Sequence, residues 1–558
     1  MKTDLVRETA QAAQAYLKAG HVEALPYEGY EAYLQQGNRI DFENHYFARR
    51  RQLAVLGLAM ITDPKPELLK LLEQVIWEVC NEYTWALPAH LPLIEGRFAP
   101  ESRTCLDLFA AETGATLAEL FERLEDQFSP FLKERMLQEL ETRILTSYES
   151  RPWAWEQKEN NWSSVIGGAV GLTVLSVVPK GSPRQLQLVK RLDTAMQSYL
   201  RGFGEDGACE EGVAYWSYGF GYFVYYADKL AKTLGDPRYI QLTKVKKIAA
   251  FPYYAMINEE EYVPFSDYSQ SELPSGLVSW CHEVMEVPIP TLKGISSLDF
   301  DHCYRFAHLL RNLEWTTAAV KDAHEEKAVH YFDHAQWLTL RDPQQNFYFA
   351  AKGGTNVESH NHLDVGHFVV GTTAELFLTD LGAGEYTRDY FNERLRYDFF
   401  VNGSAGHGLP TINGTSQQPG PAGAKVVAFV SEDEQLRFAL DLTATYGKTP
   451  YLTEFQRTWQ VSAAEKTVLL TDDFTFSATG NQVEERFITK IRPQIKGTEV
   501  LLTQKSGATC RLALATEEIT TEEIVYSDHE GRPATAYVIK AGYHLAMKAA
   551  LVVKITID

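Results

Sequence analysis

The segment SHNHLDVGHF brings His360, His362, Asp364 and His367 into one short stretch of chain. Read as a strand, residues two apart share a face, so His360, His362 and Asp364 project together. Ionisable groups gathered in this way suit metal ligation or proton transfer; the alternative is a solvated face of an antiparallel sheet. His-x-His is also a metal signal. Two ligands do not make a site, but Asp380, ending the strand AELFLTD, and His407, in NGSAGHGLPTING, could join the His-x-His pair in a set of nitrogen and oxygen ligands that would suit zinc. The preceding GGTN turn and the apolar run that follows place the cluster at a strand entrance.

Two other loops stand out. In WAWEQKENNWSSVIGGAVGL, Asn160, Asn161 and Trp162 open an apolar helix. Asn is a good N-cap, so this is either a cap with an aromatic lid or an amide donor at a helix start, where the dipole favours anions. In GFGEDGACEEGVAYWSYGFGYFVYY, a Gly-rich acidic loop with Asp206, Glu210 and Glu211 leads into Tyr215, Trp216 and Tyr218. Core packing accounts for most of these aromatics. Tyr215 differs, because it follows the loop at a helix start, and an aromatic there is also what a sugar ring stacks on.

The elements that must position these residues change period along the chain. From residue 1 to about 325, segments such as ELLKLLEQVIWEVC (67–80), PFLKERMLQELETRIL (130–145) and LVKRLDTAMQSYLRGF (188–203) repeat apolar residues at three and four, as helices do. After Phe332 the period becomes two, in runs such as QWLTLRD, NFYFAAKGG, LRFALDLTATY and FQRTWQVSAAEKTVLLTDDF. The expectation is a multidomain α+β chain, with a helical domain over 1–325 and antiparallel β-sandwich domains over 326–558.

The chain has 558 residues, 45% of them hydrophobic, and a formal charge of −21. That charge argues against a global basic field holding nucleic acid or an anionic membrane. Disorder, collagen and coiled coil are excluded by composition. The longest apolar run, Val165 to Val178, is too short to span a bilayer. The opening MKTDLVRETAQAAQAYL is charged and helix-like, and the scattered cysteines read as reduced thiols, so the expected location is the cytoplasm. A homodimer is compatible with all of this.

Several of these blocks together resemble the heparinase II/III-like polysaccharide lyases. NNWSSVIGGAVGL, DGACEEGVAYWSYG, KGGTNVESHNHLDVGHFVV and NGSAGHGLPTING are similar to that family's blocks and occur in the same order. WALPAHL (85–91) and CLDLFAAETG (105–114) are similar to its N-terminal helices. The resemblance, over about residues 80 to 415, implies an incomplete α/α toroid followed by antiparallel β-sheet. It also implies β-elimination on glycans containing uronic acid, glycosaminoglycans above all.

The resemblance further implies roles. Asn161 would hold the uronate carboxylate, Tyr215 would serve as acid and for some substrates as base, and His360 would be the β-domain histidine of the cleft. His362, Asp380 and His407 would hold a structural zinc. Asn160, Trp162, Glu211, Trp216, His90, Arg394 and Arg396 would contact an acidic oligosaccharide or polysaccharide. Many relatives carry His where this chain has Trp162, so Tyr215 would have to serve twice. A uronate C5-epimerase and a non-catalytic glycan-binding protein are the alternatives. Hydrolysis needs two opposed carboxylic acids, and Asp206, Glu210 and Glu211 share one loop.

Overall fold

The computed structural model describes residues 2–322, 326–358, 360–387, 389–392, 394–432 and 435–558. A helical N-terminal region is followed by antiparallel β-sheet, as the change of period predicts. The boundary expected at residue 325 falls on 323–325, outside the described residues. The chain forms two compact units. The first comprises residues 1–203, 215–250 and 271–323, and the second 204–214, 251–270 and 324–558. Two short segments of the helical half therefore fold with the β-sheets.

In the first unit the helix starts carry the expected signals. Pro66 opens Pro66–Asn81, Ser182 caps Pro183–Arg201, and the Asp107 carboxylate accepts the Ala110 amide at the start of Leu108–Leu124. Asn160 caps the helix Asn161–Val177, accepting the Trp162 amide at 3.1 Å. Nearly every residue of that helix beyond its first turn is buried, and its glycines set how closely it packs. A Cβ on Gly168 would lie 2.6 Å from the Tyr222 carbonyl oxygen, and one on Gly171 only 2.3 Å from the Tyr226 ring. The helix therefore lies directly against Val213–Leu234, the helix that carries Tyr215.

Among the described residues of the second unit, three antiparallel sheets contain eight, five and four strands. Their inner faces share one core, built around Phe349, Phe368, Phe438, Trp459, Phe487 and Ile539. Thr467–Phe476 alternates between buried and more open positions, the pattern of a strand with one face on the core. Trp337–Asp342 and Phe347–Lys352 are buried throughout. Part of the reason is the segment 251–270, whose Phe251 and Phe265 pack against Trp337, with Phe251 also reaching Phe332.

One correction concerns the histidine segment. It is not a strand: residues around His360 to His367 follow turns, and regular pairing starts only at Phe368–Gly371. His360 adopts φ +54°, a left-handed conformation in which strand alternation cannot continue. The strand before Asp380 likewise closes at Leu378.

A buried arginine pins the loops that result. Arg457, on Leu452–Ser462, binds Asp472 through Nε at 2.8 Å and Glu485 through Nη2 at 3.1 Å. Its Nη1 donates to the carbonyls of Gly366 and Gly408, the neighbours of His367 and His407.

Two substitutions test this packing. Gly168→Ala should cost about 1–3 kcal/mol through overpacking against the Tyr222 backbone, and an unchanged denaturation midpoint would refute the close approach. Arg457→Met should cost about 3–5 kcal/mol, because Asp472 and Glu485 are left buried without their cation. Chemical denaturation showing a loss below about 1 kcal/mol would rule out the strut.

Candidate active site and metal centre

In the second unit the site is organised by a residue that the sequence did not single out. Asp267 lies in the segment 251–270 and is 1% exposed. Its Oδ2 accepts from His360 Nδ1 at 2.8 Å, and its Oδ1 from His362 Nε2 at 2.9 Å. Arg396 Nη2 reaches both oxygens, at 3.1 and 3.0 Å, and the Tyr390 hydroxyl donates to Oδ1. Burial by itself would raise this carboxyl. The hydrogen bonds from His360 and His362, with the charges of His362 and Arg396, instead hold it well below the usual carboxylate range.

This hub sets the state of His360. With Nδ1 committed to Asp267, the proton sits on Nδ1 and Nε2 keeps its lone pair. The side chain is 22% exposed, enough to meet a ligand. Burial opposes its protonation, but the hydrogen bond it donates to Asp267 and the charges of Glu211 and Asp267 outweigh that and raise its pKa. Glu211, from the segment 204–214, thus acts on His360 within the same unit.

Beside the hub lies a buried cluster of His362, Asp364, Asp380 and His407, whose ligand atoms all lie within 4.8 Å of one another. Hydrogen bonds orient both imidazoles. His407 Nδ1 donates to the Gly403 carbonyl at 2.9 Å, so its Nε2 carries a lone pair. His362 Nε2 is spent on Asp267, which turns its Nδ1 into the cluster. His362 Nδ1 and His407 Nε2 lie 3.3 Å apart, placed to share a proton or to bind one cation together. Asp380 Oδ1 accepts the Gly382 amide, while Oδ2 is buried without a hydrogen-bond partner, 3.5 Å from His407 Nε2. Burial raises the pKa of Asp380 and, against the pull of Asp380 and Asp364, lowers that of His407.

The donor set therefore fits a metal. Asp364 has a second claim on it, because the fully buried Lys352 ammonium lies 2.9 Å from Oδ1 and 3.3 Å from Glu358. His367 is not poised as a ligand. Its Nδ1 accepts the Gly408 amide, which leaves the proton on Nε2, turned to Asp380 at 3.4 Å.

In the first unit, Asn160, Asn161 and Trp162 gather with His90. The Trp162 ring lies between His90, 5.1 Å away centroid to centroid, and Lys158, whose Nζ is 4.4 Å from the ring. His90 Nδ1 is held by Asp107 at 2.7 Å. Asn161 approaches the helix of Tyr215 at Gly219, where an added Cβ would come within 3.2 Å of Asn161 Cβ. Gly219 is one helical turn after Tyr215, so the two share a face. Both Asn161 and Tyr215 are half-buried.

Two residues expected to contact substrate are committed elsewhere. Trp216 is buried, its Nε1 donating to the Ile248 carbonyl at 2.7 Å. The spacing that puts Tyr215 at the more open edge of its helix turns Trp216 inward. Arg396 spends its guanidinium on Asp267, the Asn361 carbonyl and the Tyr390 carbonyl. Arg394 is exposed. Asp267 escaped notice because it stands alone in EYVPFSDYSQSELP, far in sequence from the histidines. The only local hint is a proline- and serine-rich break between helices.

No curated protein sequence matches the chain. Among solved structures, heparan sulfate lyase HepC from Pedobacter heparinus aligns with TM-score 0.63 and 12% identity, over 98% of this chain and 88% of that one. A structure described as heparinase III gives 0.63 and 13%, over 94% and 78%. The heparinase III-BT4657 gene product gives 0.65 and 11%, over 99% and 83%. At such identities the likeness is one of fold. Residues 324–553, which hold all of the hub except Asp267, match the family model described as "Heparinase II/III-like, C-terminal". The resemblance read from the sequence is thus borne out, with the β-sheet region of this chain matching that C-terminal family model.

Proposed function

We propose that the protein is a lyase that cleaves uronic-acid-containing glycans by β-elimination, with glycosaminoglycans as the substrate class. The observation that carries this reading is the imidazole of His360, partly exposed and held by a buried carboxylate, in the region that matches the heparinase family model. The solved structures of similar fold that are described as heparan sulfate lyases support it.

The chemistry suits these residue types. The proton on C5 of a uronate is weakly acidic, and its removal builds negative charge on the adjoining carboxylate. In this reading the Asn161 amide, at a helix N-terminus, hydrogen-bonds that carboxylate. His360 Nε2, held as a lone pair, is fit to take the C5 proton or to hydrogen-bond the substrate. The Tyr215 hydroxyl protonates the departing O4 and, with Trp162 standing where many relatives have His, also serves as base where His360 does not. Trp162, flanked by His90 and by the cation of Lys158, offers a sugar ring an aromatic face and an anionic group a charge. With the formal charge at −21, productive encounter with a polyanion depends on such local cations.

The metal in this reading is a structural zinc held by His362 Nδ1, His407 Nε2 and Asp380, with Asp364 shared with Lys352. When bound it supplies positive charge and a cross-link between loops.

Absorbance of the unsaturated uronyl product, followed over a panel of glycosaminoglycans and uronate oligosaccharides, tests the activity. Turnover is expected with at least one member, and Tyr215→Phe should lower kcat by about 100-fold or more. A panel silent throughout, or cleavage to saturated products, sinks the lyase. Hydrogen exchange at C5 without cleavage would instead indicate an epimerase.

For the metal, about one zinc per chain should survive dialysis, and His407→Ala should abolish its retention and lower the melting temperature. Equal zinc content in both proteins would overturn the assignment.

A further inference from the structure

Resting on the reading of His360 as the histidine that serves the uronate, we propose that Asp267 is a positioning residue that ties that imidazole to the metal cluster, so that filling the cluster orders His360 without the metal meeting substrate. The argument starts from the count of donors. An ionised carboxylate offers about four lone-pair directions. Here they receive His360 Nδ1, His362 Nε2, the Tyr390 hydroxyl and both contacts from Arg396 Nη2. No acceptor direction is spare, so a shift of one donor is felt by the others.

His362 is the moving part. One of its nitrogens is on Asp267 and the other faces His407 Nε2 across the cluster. A metal bound at Nδ1 holds that ring plane, and with it the carboxylate oxygen that Nε2 touches. Without a metal, His362 Nδ1 is held only by its 3.3 Å contact with His407 Nε2, so the ring has more freedom to turn and loosen its bond to Oδ1. Asp267 then re-forms its bonds with the remaining donors, and the direction of its other oxygen, which orients His360, is no longer fixed.

The backbone gives His360 little independent support. It sits at φ +54° in a turn, outside any strand or helix, and its ring is bonded to Asp267 and lies near Tyr386 and Phe391. Tyr390 and Arg396 stiffen the carboxylate from the far side. Arg396 also donates to the Asn361 carbonyl, between the two histidines, and so links the backbone to the hub.

Asp267→Asn is the informative change. An amide keeps one acceptor oxygen and turns two N–H donors toward groups that are themselves donors. His360 and His362 cannot then both keep their protons directed at residue 267, and one must change tautomer. Asp267→Glu keeps the charge.

The experiment uses the full chain with labelled histidines. Imidazole nitrogen shifts are recorded at one fixed alkaline pH, with zinc and after chelation, alongside zinc affinity by competition with a chromogenic chelator. In the wild type with zinc, His360 should show the Nδ1-protonated form, and removing zinc should broaden or split its signal. Asp267→Asn should lose that form and bind zinc about 10- to 100-fold more weakly, with Asp267→Glu recovering part of both. On a substrate that the wild type cleaves, Asp267→Asn should lower kcat by about 10- to 100-fold and change KM by less than about threefold.

A His360 protonated at Nε2 in the wild type overturns the proposal. So does an His360 signal indifferent to zinc, or an Asp267→Asn protein with wild-type tautomer and zinc affinity. Should that variant fail to fold, the wild-type spectra with and without zinc decide by themselves. If those spectra behave as expected while no uronate glycan is cleaved, the lyase reading fails and the tie between Asp267 and the cluster stands.

Discussion

A single buried carboxylate, that of Asp267, receives protons from two imidazoles, a phenol and a guanidinium. Burying a charge is costly unless the surroundings repay it with aligned donors, and here they do so fully enough to hold the group ionised. Because the carboxylate stays ionised, both histidines keep their protons directed at it. Their other nitrogens then face away from it, that of His360 on a partly exposed ring and that of His362 toward His407 in the buried His/Asp cluster. The chemistry available to the second unit follows from that division.

The rest of that unit holds the arrangement in place. Arg457, carried on a long central strand, reaches under the turns beside His367 and His407 and takes their carbonyls, while two acidic residues of neighbouring strands hold its charge. Lys352 does the like for Asp364 and Glu358. Both cations are fully buried and matched to carboxylates, Arg457 meeting two carbonyls besides and Lys352 the Ser266 hydroxyl. Such networks tolerate little loss of a member, which suits loops that must present ligands with no strand to fix them.

The helical unit reaches its own arrangement by a different means, close packing through glycine. Gly168, Gly171 and Gly219 let two helices touch at backbone distance, which sets Asn161 at the end of one beside the face of the other that carries Tyr215. Asp107 shows the same economy at a smaller scale: one carboxylate caps a helix and orients His90.

The sequence by itself determined the order of helices and strands, because apolar period is a local property that burial of one face imposes on each element. It also showed the Asn pair at a helix start, and the resemblance implied the set His362, Asp380 and His407, which the fold gathers in one buried cluster. It misled where local pattern was extended too far: alternation suggested a strand through His360, whereas turns and a left-handed residue bring His360 and His362 to one carboxylate. Trp216 and Arg396 read as surface groups because hydrogen-bond partners far along the chain are invisible in sequence. Only the tertiary structure joined residues 204–214 and 251–270 to the β-sheets and so delivered Asp267 to the histidines. That contact spans some ninety residues of chain and depends on side chains meeting in space, which no local spacing encodes.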